Sequence, residues 1–156
     1  MYEIVKRVEF SFAHRLVNYD GKCNRPHGHN GVAEVTLRSE TLNELGMVED
    51  FGAVGDVVGG WIDENLDHRM ILRRDDPFVA AIEELGQHAF LTDAEPTAEN
   101  IAKTIFEQVV DMGLPVVAIT FWETPDSSAT YTVEEPRSGR GNGVSERSAA
   151  STRSPR

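Results

Sequence analysis

The residues best suited to chemistry are two histidines separated by a glycine, with a lone cysteine four positions before the first. Cys23, His27 and His29 lie within "GKCNRPHGHN", residues 21–30, although the whole chain has one cysteine and five histidines. Neutral imidazole is a common ligand of Zn²⁺. A spacing of two also points both rings to the same side of an extended strand. The segment therefore indicates either a metal site beside a thiol or a turn followed by a strand with two exposed histidines.

A third imidazole is expected close to this pair. The apolar positions of "YEIVKRVEFSFAH" alternate with period two, interrupted by Lys6, and His14 ends the core-facing row. If this strand pairs with the next in a meander, His14 faces the same side as His27 and His29. Catalytic zinc sites commonly have three protein ligands and one open position. The three histidines therefore predict a facial set of nitrogen ligands with room for a substrate.

Cys23 has three interpretations. As a fourth ligand it would close the site and make the metal structural. As a thiolate it could abstract a proton, although a thiol with a pKa of about 8.5 is only a few per cent ionised at neutral pH. As a small buried side chain it would be inert, which is the commonest fate of a free cysteine. The pattern by itself slightly favours the third interpretation.

Two further stretches could serve proton transfer or substrate binding. Asp67 and His68 follow the first predicted helix in "NLDHRMI". There the imidazole is either a partner of the helix dipole or a proton relay oriented by the carboxylate. Glu123 in "TFWET" shares a strand face with Ile119 and Phe121, where a carboxylate needs a partner. That partner is either a core salt bridge or a flat heterocycle that donates two N–H groups.

The elements that position these residues follow from hydrophobic periodicity. "HGHNGVAEVTLRSE" predicts a second strand, and a helix is predicted from Asp50, which can cap it. A short second helix is predicted within residues 77–90, where His88 is interpreted as a surface histidine. "PTAENIAKTIFEQVVDMG" predicts the clearest helix, capped by Thr97 and ended by Gly113.

The chain is then expected to close with a hairpin. "VVAITFWET" and "ATYTVEE" predict its two strands, with a loop at residues 125–128. The order strand, strand, helices, strand, strand predicts an α+β fold with four antiparallel strands and helices on one face.

Composition limits the class of protein. The chain has 156 residues, 40% of them hydrophobic, which suits one domain, predicted over residues 1–136. Residues 137–156 lack large apolar side chains and predict a disordered basic tail. The tail holds five Arg and one Glu, so residues 1–136 carry a charge of −15 within a chain whose net charge is −11. So acidic a body makes nucleic acid an unfavourable partner.

The cellular setting follows from three features of the chain. No apolar run approaches the roughly 18 residues of a membrane span. The first ten residues, "MYEIVKRVEF", lack the apolar core of a signal peptide. A single cysteine cannot form an internal disulfide, so a reducing cytoplasm is expected.

Taken together, six stretches in order resemble the 6-pyruvoyl-tetrahydropterin synthase family: "FSFAH", "GKCNRPHGH", "GMVEDF", "LDHRMIL", "PTAENIA" and "WET". The branch they most resemble is 6-carboxy-tetrahydropterin synthase, the enzyme of queuosine and deazapurine biosynthesis. Three residues separate Cys23 from His27 as in that branch, whereas the pyruvoyl-forming branch has a longer gap. A third branch, serving folate synthesis, has Glu where this chain has Asn24. Pro26 stands where the bacterial enzymes more often have Leu.

The resemblance implies a T-fold, in which three subunits close a barrel and two trimers stack into a homohexamer. It implies zinc as cofactor and a pterin triphosphate as substrate. It implies these residue roles: zinc binding by His14, His27 and His29; proton abstraction by Cys23, helped by Asp67 and His68; and pterin binding by Glu123 and Thr97.

The reaction implied is conversion of 7,8-dihydroneopterin triphosphate to 6-carboxy-5,6,7,8-tetrahydropterin, with release of acetaldehyde and triphosphate. Two alternatives stay open: triphosphate elimination to 6-pyruvoyl-tetrahydropterin, and a non-catalytic, zinc-stabilised oligomer. A metal hydrolase is less favoured, because no helical H-E-x-x-H motif is present. Arg15, Lys22 and Arg25 are candidates for binding the triphosphate, and a neighbouring subunit could supply other charges.

Overall fold

The computed structural model describes residues 1–133, so the predicted tail at residues 137–156 lies outside the described residues. Within residues 1–133 no helix is long and apolar enough to cross a membrane. A short 3-10 turn, Lys22–Asn24, lies between the first two strands. The other elements, in chain order, are β1 Tyr2–His14, β2 His27–Ser39, α1 Phe51–Asn65, β3 Arg69–Arg73, α2 Phe78–Glu84, β4 Phe90–Thr92, α3 Ala98–Asp111, β5 Val116–Thr124 and β6 Ser127–Thr132.

The strands form one six-stranded mixed sheet in the order β4-β3-β1-β2-β5-β6. The four predicted strands are present and pair antiparallel, β1 with β2, β2 with β5 and β5 with β6. The prediction of a four-stranded antiparallel sheet is wrong, because β3 pairs in parallel with the edge of β1 and β4 pairs in parallel with β3. Both are too short for a clear period-two signal, and they form by pairing with an edge that would otherwise expose unpaired backbone groups.

One face of the sheet carries the core, and α1 and α3 cover it, as predicted. Alternate residues of β1, β2 and β5 point to these helices, while Glu3, Arg7 and Glu34 lie on the opposite face. This alternation puts the last core-facing position of β1 at His14. The buried cluster includes Phe10, Phe12, Val35, Ile119 and Phe121 from the sheet and Val54, Val58, Ile62, Ile101, Ile105 and Val109 from the helices.

Capping contacts confirm the predicted starts of α1 and α3, and the short second helix predicted within residues 77–90 is present as α2. The Asp50 side chain accepts a hydrogen bond from the Ala53 N–H at 2.9 Å, at the start of α1. The Thr97 hydroxyl accepts from the Asn100 N–H at 3.4 Å, at the start of α3. Gly113 follows α3 with a φ of 80°, a left-handed conformation that favours glycine and ends a helix. The β5–β6 loop is shorter than the predicted 125–128, because β6 begins at Ser127.

Gly31 on β2 occupies a tight space between two aromatic rings of the core. A methyl group there would lie 2.7 Å from Phe121 Cε2 and 3.0 Å from Phe12 Cε1. We expect Gly31→Ala to lower the free energy of unfolding by about 1–3 kcal/mol, because the rings must leave their packed positions. Gly60→Ala on α1 is the control; its new methyl meets open space, and we expect a gain of about 0.5–1 kcal/mol. Denaturant unfolding measures both, and an unchanged stability of the first variant would contradict the packing argument.

Candidate functional site

The end of the β1–β2 hairpin brings three imidazoles together. His14 lies opposite His27 in the strand pairing, and Phe12 lies opposite His29. One ring nitrogen from each histidine lies within 4.8 Å of those of the other two. The ring centroids are 4.6 to 5.2 Å apart. The predicted convergence of His14, His27 and His29, called the imidazole cluster below, is present; their role as ligands stays a prediction.

Hydrogen bonds to backbone carbonyls orient two of these rings. His14 Nδ1 lies 2.7 Å from the Pro96 carbonyl oxygen, and His27 Nδ1 lies 2.7 Å from the Arg25 carbonyl oxygen. A carbonyl only accepts, so each Nδ1 carries the proton and donates, which leaves a lone pair on each Nε2 of the neutral rings. Carbonyl-bound Nδ1–H groups are typical of histidines that ligate a metal through Nε2.

In the described part of the chain, the Nε2 atoms of the imidazole cluster lack the hydrogen-bond donors that would satisfy their lone pairs. Nε2 of His14 and Nε2 of His27 are 3.1 Å apart, a distance at which two lone pairs repel unless a proton or a metal ion lies between them. Nε2 of His29 is buried, and within residues 1–133 it has no hydrogen-bond partner. A buried polar atom without a partner is costly, so the donor set fits a metal ion bound by three Nε2 atoms.

Burial keeps His14 in the form that binds a metal. His14 is 2% exposed, and burial is the largest cause lowering its pKa below the ordinary value. The hydrogen bond to Pro96 and the charge of Glu123 act in the opposite direction, while His27 and His29 lower the pKa further. His14 is therefore neutral at neutral pH, with its Nε2 lone pair available.

Glu123 lies beside the cluster, on the strand next to it. β2 pairs with β5 so that Val32 lies opposite Trp122, which places the following residue of β5 near His29. Glu123 Oε1 is 3.3 Å from His14 Nε2 and 3.9 Å from His29 Nε2. The ion-pair partners of this carboxylate, in the part of the chain described, are thus two of the imidazoles. Its side chain is 27% exposed, so a ligand entering the site can reach it.

Cys23 lies in the loop that closes the same end of the hairpin. It is a free, partly buried thiol in the 3-10 turn. Its carbonyl accepts a hydrogen bond from the Leu16 N–H at 2.8 Å, two residues after His14. Cys23 is not among the residues whose ligand atoms all lie within 4.8 Å of one another. This placement disfavours a closed four-ligand site, and the loop that carries the thiol joins His14 at the end of β1 to His27 at the start of β2.

Asp67 and His68 form an oriented pair at the other edge of β1. Asp67 Oδ1 accepts from the Ser11 N–H at 2.8 Å, and His68 Nδ1 lies 2.5 Å from Asp67 Oδ2. Burial raises the pKa of Asp67, but the hydrogen bonds from Ser11 and His68 outweigh it and lower that pKa overall. The His68 side chain is 80% exposed. No hydrogen bond or ion pair within residues 1–133 joins this pair to the imidazole cluster or to Cys23.

The remaining predicted residues have mixed placements. Thr97 is the cap of α3, and a contact with substrate stays a prediction. Arg15 is bound to Asp76 at 2.8 Å and lies over the Phe78 ring, so much of its donor capacity is already used. Lys22 and Arg25 are exposed, as is His88.

The sequence did not reveal the groups that orient His14 and bind the loop carrying Cys23. The Pro96 carbonyl orients His14, and the carboxylate of the preceding residue, Glu95, binds two amides of the loop that carries Cys23. Both residues belong to "AEPTAEN", and the only sequence signal was their position next to the helix cap Thr97. A backbone carbonyl carries no residue-type signature, so only the structure reveals its role.

Comparison with known proteins gives a consistent family assignment. The family described as 6-pyruvoyl tetrahydropterin synthase matches residues 3–134. The 6-carboxy-5,6,7,8-tetrahydropterin synthase of Rickettsia bellii is 38% identical over 133 residues, covering 81% of this chain and 96% of the relative. A probable 6-carboxy-5,6,7,8-tetrahydropterin synthase of Halobacterium salinarum is 37% identical over 128 residues, covering 78% of this chain and 81% of the relative.

Solved structures agree with this sequence comparison. A protein of Wolinella succinogenes has a TM-score of 0.74 and 27% identity, covering 85% of this chain and 98% of that one. The 6-pyruvoyl tetrahydropterin synthase of Caenorhabditis elegans has a TM-score of 0.64 and 27% identity, covering 85% of this chain and 96% of that one. The α+β fold is therefore shared over most of the described residues.

Proposed function

Because the chain belongs to the 6-pyruvoyl tetrahydropterin synthase family of enzymes, we propose that it is a zinc-dependent lyase acting on 7,8-dihydroneopterin triphosphate. Its products are 6-carboxy-5,6,7,8-tetrahydropterin, acetaldehyde and triphosphate. The observation that carries the proposal is the imidazole cluster, with its three converging ring nitrogens and the adjacent Glu123 carboxylate. The names of the relatives and the three-residue gap between Cys23 and His27 support the carboxy-forming branch.

The metal would be held by His14, His27 and His29 through their Nε2 atoms. Zn²⁺ bound there would supply Lewis-acid polarisation of the substrate side-chain hydroxyls and so acidify the adjacent C–H bond. Three protein ligands leave a position open to substrate, as catalytic zinc requires.

Proton transfer is the work of this chain's own residues. Cys23, in the loop beside the cluster, takes the proton from the substrate as a thiolate, a contribution typical of general bases at roughly 10²- to 10⁴-fold. His68, oriented by Asp67, moves protons to and from solvent or substrate. Because the His68 side chain is exposed and, within residues 1–133, the pair has no bond to the cluster, it would act either after a local movement or from a neighbouring copy. Proteins of this family typically form oligomers, and we propose a homohexamer here.

Glu123 would anchor the pterin ring, accepting hydrogen bonds from two of its N–H groups. We expect Glu123→Gln to lower kcat/KM about 10- to 100-fold, because a hydrogen bond to a charged group contributes about 1.5–3 kcal/mol. Bound zinc should be unchanged, since three imidazoles remain. Glu34→Gln is the matched control, because Glu34 lies on the neighbouring strand β2 and on the face of the sheet opposite to the core. Steady-state kinetics with metal analysis checks both variants; loss of zinc from Glu123→Gln would instead make this carboxylate a ligand.

The similarity to the 6-pyruvoyl tetrahydropterin synthase of Caenorhabditis elegans favours one rival reaction, elimination of triphosphate to give 6-pyruvoyl-tetrahydropterin. Purified protein incubated with zinc and 7,8-dihydroneopterin triphosphate separates the two when the products are identified by mass spectrometry. Acetaldehyde arises only on the carboxy route. The pyruvoyl product without acetaldehyde supports the rival, and bound zinc without turnover supports the non-catalytic oligomer.

A further inference from the structure

One carboxylate binds two backbone amides of the loop that carries Cys23, residues 15–26. Glu95 Oε2 accepts from the Val17 N–H at 3.0 Å, and Glu95 Oε1 accepts from the Asn18 N–H at 3.0 Å. These residues are far apart in sequence, so the two bonds fasten the loop to a different part of the chain. A carboxylate that accepts two backbone N–H groups forms charge-assisted hydrogen bonds, which are stronger than neutral ones.

Glu95 is itself held in place at three points. Arg73, the last residue of β3, donates from Nη1 to Glu95 Oε1 at 2.9 Å. The backbone carbonyl of Glu95 accepts from Asn100 Nδ2 at 2.9 Å and from the Thr97 N–H at 2.8 Å. The Arg73 and Glu95 side chains are 18% and 22% exposed, so this pair is largely shielded from solvent. The carboxylate therefore has a fixed position at the start of α3.

Contacts within the loop carry this attachment to the thiol. Asn24 Nδ2 donates to the Val17 carbonyl at 2.9 Å and to the Tyr19 carbonyl at 3.2 Å. The Leu16 N–H donates to the Cys23 carbonyl at 2.8 Å. Fixing Val17 thus restrains the turn that contains Cys23.

The next residue after Glu95 holds the imidazole cluster. The Pro96 carbonyl accepts from His14 Nδ1 at 2.7 Å. Two consecutive residues therefore position the loop of the thiol and one ring of the cluster, and they do so from a single segment that leads into the Thr97 cap.

We propose that Glu95 is a positioning residue that sets the Cys23 loop relative to the imidazole cluster. Its effect on turnover rests on the proposed lyase function; its effect on the loop does not. A displacement of about 1 Å between a base and its substrate can cost on the order of 100-fold in rate. The segment thus acts on catalysis through Cys23, without contact with the reacting atoms.

The structural part of the proposal is tested by Glu95→Gln in the full, zinc-loaded chain. We expect hydrogen exchange at the Val17 and Asn18 amides to accelerate about tenfold or more, because a charged acceptor is lost. Alkylation of Cys23 by iodoacetamide should also become several-fold faster, since local opening of the loop exposes the thiol. Zinc content should stay at the wild-type value. Glu107→Gln, an exposed position on α3, is the matched control, and wild-type exchange rates in Glu95→Gln would overturn the proposal.

The effect on catalysis is tested by introducing Glu95→Gln into the wild type and into the Cys23→Ala variant. In the wild type, Glu95→Gln should lower kcat about 10- to 100-fold with a smaller change in KM. In Cys23→Ala it should lower kcat little further, because Glu95 acts through Cys23. An equal loss of kcat in both proteins would mean general destabilisation and would overturn the positioning role.

If Glu95→Gln does not fold, Asn24→Ala breaks the same restraint within the loop. Unchanged alkylation of Cys23 in that variant would count against the proposal. Absence of lyase activity in the wild type would refute only the proposed function. Hydrogen exchange and alkylation would still test whether Glu95 restrains the Cys23 loop.

Discussion

Replacing His27 with alanine is expected to remove bound zinc and to lower turnover by roughly 10³-fold or more, since a catalytic metal supplies several kcal/mol of transition-state stabilisation. His27 suits this test because it is only partly buried and its ring binds the backbone through the nearby Arg25 carbonyl. The fold should survive the change. Metal content after dialysis and the rate of acetaldehyde release measure the two effects on the same sample.

The control is another histidine outside the site. His88 is exposed, and His88→Ala should retain wild-type zinc content and turnover. A His27→Ala protein that still binds one zinc ion per chain with wild-type affinity would show that the imidazole cluster is not the metal site. That result would remove the main support for the proposed lyase.

Replacing Cys23 with alanine is expected to have the opposite pattern: zinc stays bound while turnover falls by roughly 10²- to 10⁴-fold, the range for loss of a general base. Cys23 lies outside the group of mutually close ligand atoms, so its removal leaves three imidazoles intact. Zinc analysis, mass determination of the assembly and product analysis are made together. Loss of zinc together with loss of assembly would contradict the base and support a structural role for the thiol.

The two variants together separate the main classes of function. A lyase loses turnover in both but zinc only in His27→Ala. A non-catalytic, zinc-stabilised oligomer shows no turnover to lose, and its assembly depends on zinc. Cys23→Ser adds a stricter test, because a hydroxyl of nearly the same size has a much higher pKa and is a far weaker base at neutral pH.

Local periodicity was sufficient to predict the strands and helices that frame the site. A β-strand alternates its side chains with a period fixed by backbone geometry, so the core-facing rows of β1 and β2 follow from their apolar residues. Once β1 and β2 are taken to pair in a meander, His14, at the end of one row, and His27 and His29, at the start of the next, could therefore be assigned to one face. The caps at Asp50 and Thr97 are local for the same reason.

Pairing between strands that are distant in the chain was harder to predict from the sequence. β3 and β4 are five and three residues long, and neither has enough residues to establish a period. β3 forms because the edge of β1 offers unpaired backbone groups to the extended segment that follows α1, and β4 pairs in turn with the edge of β3. The predicted antiparallel sheet of four strands therefore lacked two parallel strands.

What the sequence determined by itself is the set of side-chain directions, since these depend only on neighbouring backbone angles. The tertiary structure decided which groups from distant parts of the sequence contact these side chains. Glu123 lies beside the cluster through the pairing of β2 with β5. The Pro96 carbonyl reaches His14 across 82 positions of sequence. Such contacts depend on register and on the packing of α3, which the alternation of one strand does not encode.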